Sequence, residues 1–266
     1  MRTGILWGGS PLFAQFPVLM LFVFWISVHV VTECAWRVGR RRGVTRESNV
    51  SVEPASALLA VLGLLLAFTV SMAVHRFDAR KQLVIEEANA IGTAELRARF
   101  LSEAARARSR ALLDVYLDRR VRWGEEAGDE ATQGRLAREA TDYQNQLWQI
   151  AVEASTPTPI FALYESALNQ MIDLAAERAH VRANRIPETV LLLLVTTALL
   201  ATGLFAGVLG RNKKKNRFDL HLLAFVTWLV VAFIVDLDRP RRGWVQVSQE
   251  PLVRLQESWR GALPAR

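Results

Sequence analysis

The chain has 266 residues, is 51% hydrophobic and 22% charged, and carries a net charge of +7. Such a mixture suits neither an ordinary soluble domain nor a bare membrane bundle, so the apolar residues must gather into spans and the charges into a water-exposed segment. From Arg76 to Ile186 there are 16 Lys+Arg against 17 Asp+Glu, which leaves no basic excess for nucleic acid, and the single cysteine, Cys34, rules out an intrachain disulfide and argues against a cysteine-built metal site.

Residues Met1 to Gln15 carry one charge, Arg2, with Gly8, Gly9 and Pro11 as breakers. A first span is predicted from about Pro17 to Trp36, since twenty residues at ~1.5 Å each match a hydrocarbon core of about 30 Å. The run is too long for a secretory h-region and no small-residue cleavage site follows it. Glu33 stands before Cys34, where a lipoprotein site wants a small residue, and Cys34 reads as a packing residue. His29 and Glu33 lie four apart on one face. They fit an intramembrane proton or ion relay, or an interfacial pair in which Glu33 reaches the adjacent arginines; the second reading is preferred. The segment RVGRRRGVTR then supplies five arginines between Arg37 and Arg46.

Ser51 is placed to cap the next helix and Pro54 suits its first turn. The second span, about residues 54–75, is expected to continue as helix from Pro54 to Arg119, a rod of about 95 Å. The stretch Trp123 to Asp129 (WGEEAGD) reads as a break. Thr132 to Ala154 reads as a helix with Leu136, Tyr143, Leu147, Ile150 and Ala154 as its apolar stripe. Ser155 to Pro159 (STPTP) ends it. Ile160 to Arg185 is the next helix, with Phe161, Tyr164, Leu168, Met171, Ile172 and Ala175 on one side. No β alternation occurs in residues 76–186, which are predicted to form a helical bundle.

Pro187 opens the third span, about 187–210, where Gly203 and Gly207 stand four apart with Gly210 following, a spacing that permits close helix approach in lipid. RNKKKNR carries five more positive charges before the fourth span, about 218–236. In the tail, 239–266, Trp244 to Val247 is a short strand candidate, and Ser248 is placed to cap an amphipathic helix bearing Leu252, Leu255 and Trp259. The predicted fold is therefore all-α: a four-transmembrane-helix protein whose helical-bundle domain is inserted between spans two and three, with a membrane hairpin on either side (1–75 and 187–238). The two short loops hold ten Lys/Arg, and one positive charge precedes the first span while five follow it. That bias puts the short loops in the cytoplasm and the helical domain and both termini outside.

One face of the second helix is singled out. Ser56, Ala60, Gly63, Ala67 and Ser71 form a small-residue stripe that continues as His75, Asp78, Gln82, Glu86, Asn89 and Thr93. The steps average about 3.67 residues, so the face barely rotates. It fits the lining of a central path in an oligomer, with Asp78 and Glu86 rings concentrating cations, or a packing seam continued by a solvated surface; the second reading is preferred. Phe77, Val84, Ala88, Ile91, Ala98, Leu101 and Ala105 form the neighbouring apolar stripe, and Gly92 marks a kink or a close contact. Because spans two and four end at one membrane face, Arg76, Arg80 and Lys81 are candidates for interfacial ion pairs with Asp236 and Asp238. Phosphate-loop, nucleophile-elbow and paired-histidine zinc motifs are missing from the sequence, and His29, His75, His180 and His221 are scattered along it. No enzyme, cofactor or metal is expected.

The run VLGLLLAFTVSMAVHRFDARKQLVIEEANAIGTA from Val61 and the closing DLDRPRRGWVQVSQEP from Asp236 resemble the bacterial membrane proteins called bestrophin-like, over roughly Ser56 to Trp259. The resemblance implies a subunit with four spans and a helical domain between spans two and three, as in the bestrophins, which are pentameric anion channels with a cytosolic domain. The aromatic neck pattern of bestrophins is not visible here, and the charge bias points the domain the other way. The expected function is an oligomeric bestrophin-like ion channel or pore in the bacterial inner membrane. The alternative is a non-conducting, membrane-anchored interaction or stress-sensing protein whose helical domain binds a protein partner. Expected partners are the lipid bilayer and further copies of the chain, with no nucleic acid.

Overall fold

The computed structural model describes residues 17–42, 51–126, 130–154, 159–212, 217–239 and 243–261. Eight helices occur among them: α1 (Pro17–Arg41), α2 (Glu53–Ala98), α3 (Glu103–Glu125), α4 (Glu130–Glu153), α5 (Pro159–Ala183), α6 (Glu188–Arg211), α7 (Arg217–Leu237) and α8 (Glu250–Gly261). No strand occurs among the described residues. Four helical stretches are long and apolar enough to cross a membrane, Val18–Arg41, Glu53–Ala98, Phe161–Arg211 and Arg217–Leu237, as many as the sequence predicts. The chain divides into two units, one comprising residues up to 74 together with 185–238, the other residues 75–184 together with the chain from 239 onward.

In the first unit α1 packs on α6 and α7, and α6 on α7. The glycines explain the closeness of α1 and α6. A Cβ on Gly39 would run into the backbone carbonyl of Gly207, one on Gly210 into the carbonyl of Trp36, and one on Gly203 would lie 2.9 Å from Val31 Cγ1. The Gly203/Gly207/Gly210 spacing is thus a helix-packing device, and Gly39 is its counterpart on α1. Hydroxyls within these apolar helices bond to the preceding turn: Thr32 Oγ1 donates to Val28 O (2.7 Å), Thr69 to Leu65 O (2.6 Å), Thr202 to Ala198 O (2.7 Å) and Thr227 to Leu223 O (2.9 Å). These four hydroxyls need no water. Trp228 Nε1 donates to Leu21 O at 2.9 Å, tying α7 to α1.

The second unit is a helical bundle in which α3 packs on α4 and α8, and α4 on α5. Its core contains Val84, Ile91, Leu113, Tyr116, Leu117, Leu147, Tyr164, Leu168, Met171 and Leu252. The predicted stripes of α2, α4 and α5 supply it through Val84, Ala88, Ile91, Ala98, Leu147, Tyr164, Leu168 and Met171, and their Leu136, Ile150 and Ala175 are buried as well. The two buried tyrosines are satisfied, Tyr164 by Ser109 (2.9 Å) and Tyr116 by Gln144 Nε2 (3.1 Å), as buried hydroxyls require.

Several expectations need correction. The helix from Pro54 does not reach Arg119. α2 ends at Ala98 after 46 residues, about 70 Å, and α3 starts at Glu103. The i to i+3 bonds Arg99 N to Leu96 O, Phe100 N to Arg97 O and Leu101 N to Ala98 O tighten the end, and Ser102 takes an extended conformation at the N-cap position, its carbonyl accepting from Arg106 N–H. Neither Pro nor Gly marks this break; the usable signal is Ser102 followed by the first-turn acid Glu103. Conversely, Trp123 and Gly124 lie within α3, which runs to Glu125. Trp244 to Val247 is no strand but bends and open chain, with Trp244 fully exposed. Cys34 is exposed on α1 rather than packed. The caps hold: Glu53 N–H donates to Ser51 Oγ (3.2 Å) and Glu250 N–H to Ser248 Oγ (3.1 Å). The α8 residues Leu252 and Trp259 are buried in the second unit's core, with Leu255 packed against it. The breakers near the N-terminus (Gly8, Gly9, Pro11), parts of both arginine- and lysine-rich loops (43–50 and 213–216), residues 127–129 of the WGEEAGD stretch and residues 155–158 of STPTP lie outside the described residues.

Candidate functional site

The singled-out face of α2 is open. Ser56, Ala60, Gly63, Ala67, Ser71, His75, Asp78, Gln82 and Asn89 are exposed, and Glu86 and Thr93 half-buried. The opposite face holds Ala55, Leu62, Thr69, Ala73, Leu83, Val84, Glu87, Ile91, Ala94 and Ala98, all buried. The small stripe is therefore not consumed by packing within the subunit. Gly63 makes the point sharply. A Cβ there would meet nothing within 4 Å, so its own subunit does not require glycine, although glycine costs about 1 kcal/mol against alanine inside a helix. Gly92 differs, since its Cβ would touch Leu255 at 3.4 Å, a helix contact rather than a kink; α2 runs through it unbroken. Gln82 Nε2 donates to Glu86 Oε1 at 3.0 Å, fixing that carboxylate on the open face.

The ion-pair candidates are placed as follows. Arg76 Nη1 donates to Asn184 Oδ1 (2.9 Å), and the buried Arg80 donates through Nη2 to Asn184 O (3.0 Å). Lys81 is exposed and Asp236 half-buried. Asp238 is buried and accepts from the Ile186 N–H at 3.0 Å. The Arg80 and Asp238 bonds satisfy the backbone at Asn184 O and Ile186 N, between α5 and α6.

A constellation missed by the sequence reading sits one residue from Glu86. Glu87 is wholly buried, and both its oxygens are taken: Arg120 Nε donates to Oε1 and Arg178 Nη1 to Oε2. Arg178 Nη2 also donates to Gln249 Oε1. The Trp123 ring is faced by three guanidiniums, Arg120 at 4.5 Å, Arg178 at 5.1 Å and Arg182 at 4.3 Å, a cation–π cluster. Arg182 further donates to Trp123 O (2.9 Å) and Glu126 O (3.2 Å). Burial pushes the Glu87 carboxyl up, but the Arg120 and Arg178 guanidiniums outweigh it and hold the group below the usual carboxylate range. Burial and then the neighbouring Arg178 and Arg120 push Arg182 down to about 10. Charged residues in helical runs read as solvated faces; the signal was that Glu87 continues the buried face of Val84 and Ile91 at steps of three and four.

In the first unit two of the histidines come together. His29 Nδ1 and His221 Nδ1 are 3.1 Å apart, so these two are not scattered in space. Glu33 meets Arg37 Nε at 2.6 Å, Arg217 at 3.4 Å and His221 Nε2 at 3.6 Å. Glu33 thus reaches the adjacent arginines as expected and gains partners from α7 as well. Arg217 stacks on Trp36 at 3.9 Å. No cluster of three or more metal-ligating side chains able to hold an ion occurs among the described residues.

Four apolar helices, a helical domain between the second and third, and an open small-to-polar face define a multi-span membrane subunit of the bestrophin architecture. The profile of the Bestrophin-like domain matches residues 21–252, and the chain belongs to the bestrophin-like family. Its fold is similar to that of a bacterial bestrophin homolog from Klebsiella pneumoniae. One alanine variant of that homolog aligns with TM-score 0.66 at 12% identity, covering 93% of this chain and 98% of the other. A second gives TM-score 0.66 at 13% identity over 90% and 97%. A structure described as a membrane protein gives 0.65 at 14% identity over 93% and 99%. No curated protein sequence matches the chain.

Proposed function

We propose that the protein is a homo-oligomeric, ion-conducting membrane protein in which the Ser56–Thr93 face of α2 lines the path, and that it is not an enzyme. The observation carrying this reading is the openness of that face, above all Gly63, whose lack of a side chain serves nothing within its own subunit. A ring of small residues leaves room for an aqueous path between close-packed helices, and the carboxylates of Asp78 and Glu86, repeated by each subunit, form charged rings. In planar-bilayer recordings of the purified protein, Asp78→Asn or Glu86→Gln is expected to change the unitary current by on the order of two-fold at low salt, and less at high salt where the rings are screened. A silent, purely monomeric protein would sink the proposal and leave a membrane-anchored interaction protein, its helical domain binding a protein partner, as the better account.

The protein resides in a bacterial inner membrane in this reading. The arginine- and lysine-rich short loops support an orientation with those loops in the cytoplasm and the helical domain and both termini outside. Reporter fusions at residues 44 and 128 are expected to give cytoplasmic and extracytoplasmic activity respectively. The reverse pattern would establish the cytosolic domain of the bestrophins instead.

A further inference from the structure

The helical unit contains a cavity of about 30 Å³ lined by Arg80, Val84, Trp123, Arg178, Arg182, Val247 and Gln249. That is room for one or two waters or a single halide-sized ion, and too little for a larger organic anion. The charges around it do not balance. Arg120, Arg178 and Arg182 crowd on Trp123, and the buried carboxylate among them is Glu87, already shared by Arg120 and Arg178. Arg182 is held by two backbone carbonyls, Trp123 O and Glu126 O, and the favourable charge of the Glu126 carboxylate is outweighed by burial and by the Arg178 and Arg120 guanidiniums. The buried Arg80 also lines the cavity, and Arg120, behind the lining, has a buried Nη2 with no hydrogen-bond partner among the described residues. Excess positive charge removed from water must be compensated or it destabilises the fold.

We infer that this cavity binds one small monovalent anion, of halide size, against the guanidiniums of Arg178 and Arg182. Trp123, Val84 and Val247 form its apolar wall, which lowers the local dielectric and strengthens the attraction. Gln249 orients Arg178 by accepting from Nη2, while its own Nε2 donates to Val247 O at 2.9 Å. The bound ion completes the counter-charge that Glu87 alone does not supply, and so it links α3 and α5 to the segment before α8. This site is separate from the open face of α2 and does not depend on whether that face conducts.

The test uses the full-length protein in detergent at matched ionic strength. Chloride or bromide in place of gluconate should raise the Tm by about 5 °C. Arg182→Gln should remove that gain while leaving the oligomer intact, and Arg182→Lys should retain part of it. Crystals grown in bromide should show an anomalous peak between Arg178 and Arg182. A water in the cavity with no bromide peak would overturn the inference. So would a halide gain that is undiminished in Arg182→Gln, because that gain would arise elsewhere. If Arg182→Gln does not assemble, the bromide peak in the unmodified protein decides the matter alone.

Discussion

Gly39→Leu is expected to prevent the first unit from assembling. The obstacle is backbone: the added side chain would occupy the place of the Gly207 carbonyl, near Arg211 N. A clash with a flexible side chain costs about 1–3 kcal/mol because neighbours can shift; here two helix axes would have to move apart, losing the α1–α6 contact along its length. Gly207→Leu, where the nearest atom is Ala35 O at 3.6 Å, should be damaging but milder than Gly39→Leu or Gly210→Leu. Gly63→Ala supplies the contrast. Its Cβ meets open space, so subunit stability should hold or rise by up to about 1 kcal/mol, while the oligomer or its current changes. Size-exclusion profiles and melting curves in mild detergent distinguish these outcomes. Equal melting of Gly39→Leu and the parent would refute the packing account.

Glu87→Gln should be the most destabilising single change in the helical unit. It leaves Arg120 and Arg178 buried without their shared carboxylate, a loss of about 3–5 kcal/mol for breaking a buried pair. The same network sets a pH dependence. Because the folded Glu87 carboxyl lies below its ordinary value of 4.5, its contribution is complete above that value and is lost as pH falls through the folded pKa. Thermal melts from pH 7 down to pH 3 should show acid destabilisation that is reduced in Glu87→Gln. A parallel pH profile in the variant would mean that other carboxylates carry the effect.

Much of this architecture is legible in the sequence. The four spans, the insertion of a helical domain and the core stripes of α4 and α5 follow from the length and period of apolar runs, which are strong signals. The end of α2 was missed because residues 99–102 contain neither proline nor glycine and a tight turn there leaves the periodicity nearly undisturbed, so Ser102 before Glu103 is its one local signal. The Glu87 network was hidden for a different reason. Glu86 and Glu87 are the same residue type in adjacent positions, and only the rotation of about 100° between them decides that one faces outward and the other into the core. His29 and His221 illustrate a third kind of gap: helices paired at long sequence separation leave no local trace, and α1 shows no more affinity in sequence for α7 than for α2.

The glycine contact between α1 and α6 also sets an order of events during synthesis. α1 emerges first, yet the helix that fills its glycine notch follows the whole helical domain. Until then the notch at Gly39 stays unfilled by its native partner, and the contact closes only late, as a long-range one. The first membrane unit is thus completed from both ends of the chain, after the helices between them have been made. A chain stopped before Glu188 would carry α1 with no surface shaped to receive it, so early termination should yield a product that the cell degrades rather than a functional fragment.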